Sequence, residues 1–494
     1  MSLAPTPPET PQESTARLAR VPKTLRRVHL IAVAGTGMGS LAGMFAAAGF
    51  EVTGSDQAVY PPMSLQLERW GIRVMQGYRA ENLTHRPDLV IVGNAMSRGN
   101  PEVEALLEGG LPYVSMPEAL RLFFLRGKHA VVVTGTHGKT TTASLAGSVL
   151  LSAGRDPSLL VGGVAKDFEG GFRLGKGDPF VIEGDEYDTA FFDKGPKFLH
   201  YEPKSAILTS VEFDHADIYR DLDHVRQAFR KFVALIPAMG LLAVCGDDDE
   251  ALAVALTGRC RILRYGLSDN ADLRGKVLGV DRAATRFEAA LRREPLGEFA
   301  IPLPGAHNVR NALGVMGVCL DLGLTPDEVR SGLARFGGVA RRQEERGEAA
   351  GVLVIDDFAH HPTAVRETID AVRERYAGRR VWAIFEPRSN TSRRNIHQAA
   401  FVDALARADR AVIAGVDNPA KVPEAERLSP ERVAEDLRAR GADAEFIEKV
   451  DDIVSRVVSR AGPGDVLLVM SNGGFGGIHG KLLAALGAKA GGAA

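Results

Sequence analysis

One stretch of the chain combines residue types and a spacing that could grip a polyphosphate: Gly135-Thr136-His137-Gly138-Lys139-Thr140, followed by Thr141 and Thr142. A β-branched run, Val131-Val132-Val133, leads into it, and a small-residue, helix-compatible stretch follows. A glycine-rich turn between strand and helix aims several backbone N–H groups at one point, where the helix dipole adds to their pull on an anion. Within such a turn Lys139 would meet the terminal phosphates and the Thr140 hydroxyl would ligate Mg²⁺. The spacing departs from the usual GxxxxGK[ST] loop, whose first glycine would fall on Val133.

One threonine cannot hold Mg²⁺, which takes oxygen ligands in an octahedral array. Downstream, VIEGDEYD puts Glu183 just past an apolar run, and EFDHADIY puts His215 past another. Glu183 is the first candidate metal ligand and His215 a candidate for supporting a second metal, with Asp185, Glu186, Asp188 and Asp214 as neighbouring alternatives. Alone, a strand-end acid is more often a turn former or cap. Their joint occurrence after the glycine turn is what favours a metal–triphosphate centre.

A second glycine loop, Gly35-Thr36-Gly37-Met38-Gly39, follows VHLIAVA, with Asp56 about twenty residues on, where a ribose-binding acid is expected. Taken alone it suggests an NAD(P)-dependent dehydrogenase. The third glycine arrives one residue early, however, and that reading leaves the loop at Lys139 without a purpose.

The elements that must position these residues read as alternating strand and helix, the sign of parallel sheets. The apolar pattern restarts at Val28, at His129 and at Gly351, each time ending in glycine or acid, and ligands of open α/β sheets bind at strand carboxyl ends. A length of 494 residues fits about three domains. The expected fold is therefore α/β: an N-terminal Rossmann-like domain (28–126), a central P-loop ATPase domain (127–338) with a β-rich stretch near 264–304, and a C-terminal Rossmann-like domain (339–494). Residues 1–27, with Pro5, Pro7, Pro8 and Pro11 close together, are expected to be a disordered tail. Hydrophobic residues at 45% and charged residues at 25% are the balance of a globular protein, and a net charge of −2 offers no global basic field for nucleic acid. No apolar run approaches the ~20 residues that span a bilayer, and no signal peptide is visible. Three cysteines without a CxxC pair fit a reducing cytoplasm.

GTHGKTTT, EGDEYD, EFDHAD, GAHNVRNAL, the Arg341–Arg342 pair and DDFAHHPTAV together resemble the Mur ligases of bacterial cell-wall synthesis, over about residues 28–486. The resemblance is greatest to the branch that takes UDP-N-acetylmuramate. Within it, EGDEYDTAFFDKGPKFLHY, FEPRSNTSR (Phe385 to Arg393) and MSNGGFGGIH (Met470 to His479) are similar to members that rejoin the recycled murein tripeptide L-alanyl-γ-D-glutamyl-meso-diaminopimelate to that sugar nucleotide. Members that add L-alanine, which typically carry EADESDASF instead, are the rival.

The resemblance implies ATP as co-substrate, Mg²⁺, and an amide bond formed through an acyl phosphate. By it, Gly135, Thr136, His137, Gly138, Lys139, Thr140 and Thr141 bind ATP, while His307, Asn308 and Asn311 surround adenine and ribose. Arg342 and Asp357 would close onto ATP. Lys139, Glu183, His215 and Arg342 would carry catalysis, with Thr140, Glu183 and His215 as metal ligands. The first loop, Gly35 to Gly39, would bind the UDP part with Asp56, Asn94 and Ser97. Arg388 and Arg393, with Arg394 beside them, are candidates for the peptide's carboxylates. Lys231 stands where many relatives carry a carbamoylated lysine, a feature this branch generally lacks. Asp417-Asn418-Pro419 is similar to a DNPR motif of a sister ligase, with Ala420 in place of its arginine. No nucleic acid, membrane or obligate protein partner is implied.

Overall fold

The structure is a computed structural model and describes residues 9–60, 63–168 and 170–491. The described residues form two compact units, one drawn from within residues 1–211, 223–265 and 314–332, the other from within residues 212–222, 266–313 and 333–494.

The first unit opens with helix α1 (Pro11–Leu18), capped by a reciprocal pair in which Thr10 and Glu13 bond each other's backbone N–H. A parallel sheet follows, of β1 (Arg27–Ile31), β2 (Glu51–Asp56), β3 (Arg73–Gln76), β4 (Leu89–Val92) and β5 (Tyr113–Ser115), in the order β3-β2-β1-β4-β5. The order reverses between β1 and β4, so a crevice opens at their carboxyl ends. Helix α2 (Thr36–Ala47) runs from the loop after β1. Its small residues allow close approach. A Cβ at Gly39 would stand 2.2 Å from Met63 Sδ in α3 (Met63–Arg69), and one at Gly43 would stand 2.5 Å from Phe172 and 2.8 Å from Trp70.

The same unit carries a second sheet, of β6 (His129–Thr134), β7 (Ser158–Ala165), β8 (Gly170–Arg173), β9 (Pro179–Gly184), β10 (Ser205–Leu208), β11 (Leu241–Cys245) and β12 (Arg261–Gly266). The order is β12-β11-β10-β6-β9-β7-β8, parallel except for β8. Val131, Val132, Val133, Ile182 and Ile207 are buried, as strands covered on both faces must be.

The second unit holds the antiparallel meander β13 (Leu273–Val280), β14 (Thr285–Leu291) and β15 (Glu294–Ile301), which is the β-rich stretch read from the sequence. Its other sheet comprises β16 (Glu344–Ala349), β17 (Val352–Asp357), β18 (Arg380–Phe385), β19 (Arg410–Ala414), β20 (Asp443–Ile447) and β21 (Asp465–Met470), in the order β16-β17-β21-β18-β19-β20. Only β16 runs antiparallel. Trp382 is buried in it, donating its indole N–H to Asp465 at 3.0 Å beneath the Arg410 guanidinium, 4.5 Å from the ring centroid.

The expectation of a disordered tail is corrected for residues 9–27; residues 1–8 lie outside the described residues. Pro11 starts α1 instead of breaking it. Arg17 reaches inward to a bidentate pair with Glu118 at 2.9 and 3.0 Å, bonds Glu9 at 2.9 Å, and lies 4.5 Å from the Phe192 ring centroid. Removing one partner of a buried pair leaves the other charge uncompensated. Arg17→Ala is therefore expected to weaken the first unit by about 3–5 kcal/mol, read as an earlier first transition in urea unfolding. An unchanged transition would mean that the segment does not dock.

Candidate active site

β6 turns into the helix Lys139–Ser152 within four residues, and two glycines make this turn feasible. Gly135 sits at φ +130° and Gly138 at φ +80°, both in territory that side chains avoid. A Cβ at Gly135 would also stand 2.2 Å from Thr209 Oγ1 and 2.8 Å from the Ser210 nitrogen. The turn is buttressed from the segment after β10: the His137 N–H donates to Ser210 Oγ at 3.1 Å, and the Thr209 hydroxyl donates to the His137 carbonyl at 2.5 Å.

Lys139 folds back over the turn, donating to the Gly135 carbonyl at 2.7 Å and to both Glu186 oxygens at 2.9 and 3.1 Å. Burial pushes its ammonium pKa down. The charges of Glu186, Asp185 and Glu183 and the Glu186 hydrogen bond outweigh that and hold it above the ordinary value. Glu186, one of the alternative metal acids, is thus the partner of Lys139.

Thr140 donates its hydroxyl to Glu183 Oε2 at 3.1 Å, while the other carboxylate oxygen accepts the Gly162 N–H at 2.7 Å. Adjacent ligands of an octahedral Mg²⁺, each ~2.1 Å from the ion, lie about 3 Å apart. Hydroxyl and carboxylate therefore already hold the spacing of two neighbouring ligands, and the donor set fits this cation.

At the first loop, Gly35 and Thr36 are exposed while Met38 and Gly39 are buried, so the loop's entrance faces solvent and its end serves packing. Asp56 accepts the Ala34 N–H at 2.8 Å, tying the end of β2 to the loop after β1. Asn94 and Ser97 are exposed beyond β4, on the other side of the strand-order reversal.

The remaining candidates belong to the second unit. Asp357, at the end of β17, accepts the Gln343 N–H at 2.8 Å and the Ala359 N–H at 2.7 Å. Burial pushes its carboxyl above the ordinary value against the opposing pull of Arg342 and these two donors. Arg342 lies 4.7 Å from the Phe358 ring centroid. The Gln343 side chain reaches His307 at 3.4 Å, and burial lowers the His307 imidazole toward its neutral form. Asn308 and Asn311 are bonded to each other at 3.2 Å. The structure thus brings the nucleoside candidates and Asp357 together through Gln343, a residue not singled out above although it adjoins the Arg341–Arg342 pair.

His215 takes a left-handed conformation, φ +53°, and its N–H donates to Asp214 Oδ1 at 2.7 Å. Burial pushes the Asp214 carboxyl up, yet His215, His360 and His361 bring it well below its ordinary value. Arg393 is turned inward, held by Asp417 at 2.8 Å and by the Asp417 carbonyl at 2.6 Å. Arg388 has a side chain 38% exposed against 7% for Arg393, and is the more accessible of the two.

Three consecutive stretches match family descriptions: residues 27–127 "Mur ligase family, catalytic domain", residues 133–319 "Mur ligase middle domain", and residues 341–473 "Mur ligase, glutamate ligase domain". The chain belongs to the Mur ligase family. It is an ATP-dependent peptide ligase with that family's three-domain α/β architecture, and the dehydrogenase alternative falls. The chain is 44% identical over 465 residues to the UDP-N-acetylmuramate--L-alanyl-gamma-D-glutamyl-meso-2,6-diaminoheptandioate ligase of Escherichia coli (strain K12), covering 94% of this chain and 99% of that one. To the UDP-N-acetylmuramate--L-alanine ligase of Salinibacter ruber it is 35% identical, covering 91% and 92%. The solved structure of a murein peptide ligase from Psychrobacter arcticus 273-4 is similar at TM-score 0.70 and 35% identity, covering 94% and 99%. Among the described residues, no helix of this Mur ligase is long and apolar enough to cross a membrane.

Because Gly135 is both left-handed and crowded, Gly135→Ala is expected to weaken ATP binding at least about tenfold. Gly154, at φ +71° with nothing within 4 Å of a Cβ, is the control for backbone strain alone. Titration calorimetry with a non-hydrolysable ATP analogue separates the two; equal losses in both would remove the role assigned to the turn's close packing.

Proposed function

We propose that this Mur ligase joins the L-alanine amine of L-alanyl-γ-D-glutamyl-meso-diaminopimelate to the carboxylate of UDP-N-acetylmuramate, in the cytoplasm, as part of peptidoglycan recycling. The observation that carries this reading is the 44% identity, end to end, to a ligase named for that pair of substrates. Two L-alanine-adding relatives match at 35% and 36%, over 91% and 90% of the chain.

A carboxylate is a poor acyl donor. The muramoyl carboxylate attacks the γ-phosphate of ATP and ADP leaves, giving an acyl phosphate. The peptide amine then adds to the activated carbonyl, and the tetrahedral intermediate expels phosphate as the amide forms. The protein's share is alignment and charge neutralisation. The Gly135–Thr140 turn and Thr141 cradle the phosphates through backbone N–H groups, and Lys139 donates to the γ-phosphate as its charge is redistributed. Mg²⁺ would be held by Thr140 and Glu183, with His215 a further ligand, and would supply charge neutralisation at the phosphates. Arg342 and Asp357 close onto ATP, while His307, Asn308 and Asn311 take adenine and ribose. Gly35, Thr36, Gly37, Met38 and Gly39, with Asp56, Asn94 and Ser97, hold the UDP part. Arg388 takes a peptide carboxylate; Arg393 supports it by fixing Asp417, which faces Arg388 at 3.4 Å. The domain boundaries proposed for this division of labour fall at 126/127 and 338/339.

Phosphate release with UDP-N-acetylmuramate and ATP, offered either the tripeptide or free L-alanine, tests the substrate assignment. The tripeptide is expected to win by at least about a hundredfold in kcat/KM; preference for L-alanine would overturn it. Lys139→Ala is expected to lower kcat by about 10²–10³-fold in the same assay, since a preorganised cation at the transferred phosphoryl group is lost. An unaffected kcat would remove its phosphate role.

A further inference from the structure

The first sheet has an opening away from its carboxyl-end crevice. Parallel strands are usually joined by a helix that covers the sheet. Between β3 and β4 the only helical residues are the single short turn Ala80–Leu83. Helix α4 (Pro101–Glu108) packs against β4 and β1 through Val103 and Leu106. The face over β2 and β3 is left with a cavity of about 500 Å³, within the range of small-ligand sites.

The strand register explains what lines it. Arg27 pairs with Glu51, and Thr53 with Arg73, so these side chains share one face. Arg79 and His85 complete the polar wall, and Met75 adds an apolar one. The charges are not balanced locally. Glu51 is neutralised by Arg26 at 2.8 Å, and Arg27 is engaged with Asp88. Arg73 makes no hydrogen bond or ion pair among the described residues, and Arg79 bonds only the Gln76 carbonyl, at 3.1 Å. Opposing them is one lining carboxylate without an ion-pair partner among the described residues, that of Glu81.

The polar groups beneath are already satisfied. Thr53 bridges His85 at 3.1 Å and His29 at 2.8 Å, and His29 meets the buried Glu102 at 2.8 Å. Ser55 and Asn82 also donate to Glu102, at 2.9 and 2.8 Å. A fixed floor beneath two cations lacking carboxylate partners is the construction of a binding site.

We propose that this cavity binds a small organic anion bearing two acidic oxygens, as a dicarboxylate or a phosphate monoester, with its acidic groups on Arg73 and Arg79 and its carbon body along Met75. Glu81 would face any hydroxyl or amine the ligand carries. The site is separate from the residues assigned to nucleotide, sugar and peptide, and it does not depend on the function proposed above.

Calorimetric titration of the full chain with glutarate and with glycerol 3-phosphate tests it, with inorganic phosphate as the bare-ion comparison. Saturable binding of either organic anion with Kd below about 1 mM is expected. It should weaken at least about tenfold in the double variant Arg73→Gln/Arg79→Gln, whose changes lie on exposed side chains and leave the thermal melt in place. His85 ring resonances should shift with the bound anion. Which organic anion binds distinguishes a carboxylate from a phosphate ligand. Failure of both to bind, binding no tighter than that of inorganic phosphate, or binding indifferent to the double variant would each overturn the proposal.

Discussion

An ammonium largely withdrawn from water at the start of a helix is doubly disfavoured, by loss of water and by the positive end of the helix dipole. Lys139 occupies such a position, and Glu186 makes it tenable. That requirement propagates through the first unit. Glu186 lies just beyond β9, so β9 must run beside β6, and the register pairs Val133 with Glu183 and Thr134 with Gly184. The approach is tight: a Cβ at Gly184 would stand 2.7 Å from Val132 and 3.1 Å from Thr134. The same register carries Glu183 to the Thr140 hydroxyl. One electrostatic demand thus accounts for the strand pairing, a glycine within it, and the carboxylate–hydroxyl pair that suits a divalent cation.

The same economy recurs at the other sheets. After β1 and β4 the loops carry small or polar residues outward while Asp56 ties the strand ends together. After β17, β21 and β18 the backbone is cross-linked: the Ser471 N–H bonds the Asp357 carbonyl at 3.0 Å, and the Glu386 N–H bonds the Met470 carbonyl at 3.1 Å. Arg341 adds bonds to the Ser471 and Gly473 carbonyls, both at 2.7 Å. Polar loops held this firmly can present Asp357 and Arg388 without relying on flexible side chains.

What could be read from the sequence follows the range of the interactions. The glycine turn, the buried strands ahead of Lys139 and Glu183, and the meander near 264–304 are local patterns of residue type, and the folded chain keeps them. The docking of α1 was invisible because Arg17 finds Glu118 across 101 positions, and a proline-rich composition said nothing of that partner. The partner of Arg393 is equally remote: its residue type marks a cation, but only the fold brings it to Asp417, 24 positions later. Glu186 and Glu183 could not be told apart by type; only the register decides which meets the lysine and which the threonine. Gln343 is not legible in the sequence, because an amide beside two arginines carries no chemical signature of its own.

The two tryptophans have a practical corollary. Each unit owns one: Trp70 stands edge-on to Phe172 at 5.2 Å, where the first sheet's helices meet the second sheet of their unit, and Trp382 is sealed under Arg410. The chain therefore comes with two native fluorophores in contrasting surroundings, one half-buried among hydrocarbon and aromatic groups, the other dry and beneath a cation. Replacing either by phenylalanine would leave a single emitter, and its spectrum would report on its own half of the molecule without any attached dye.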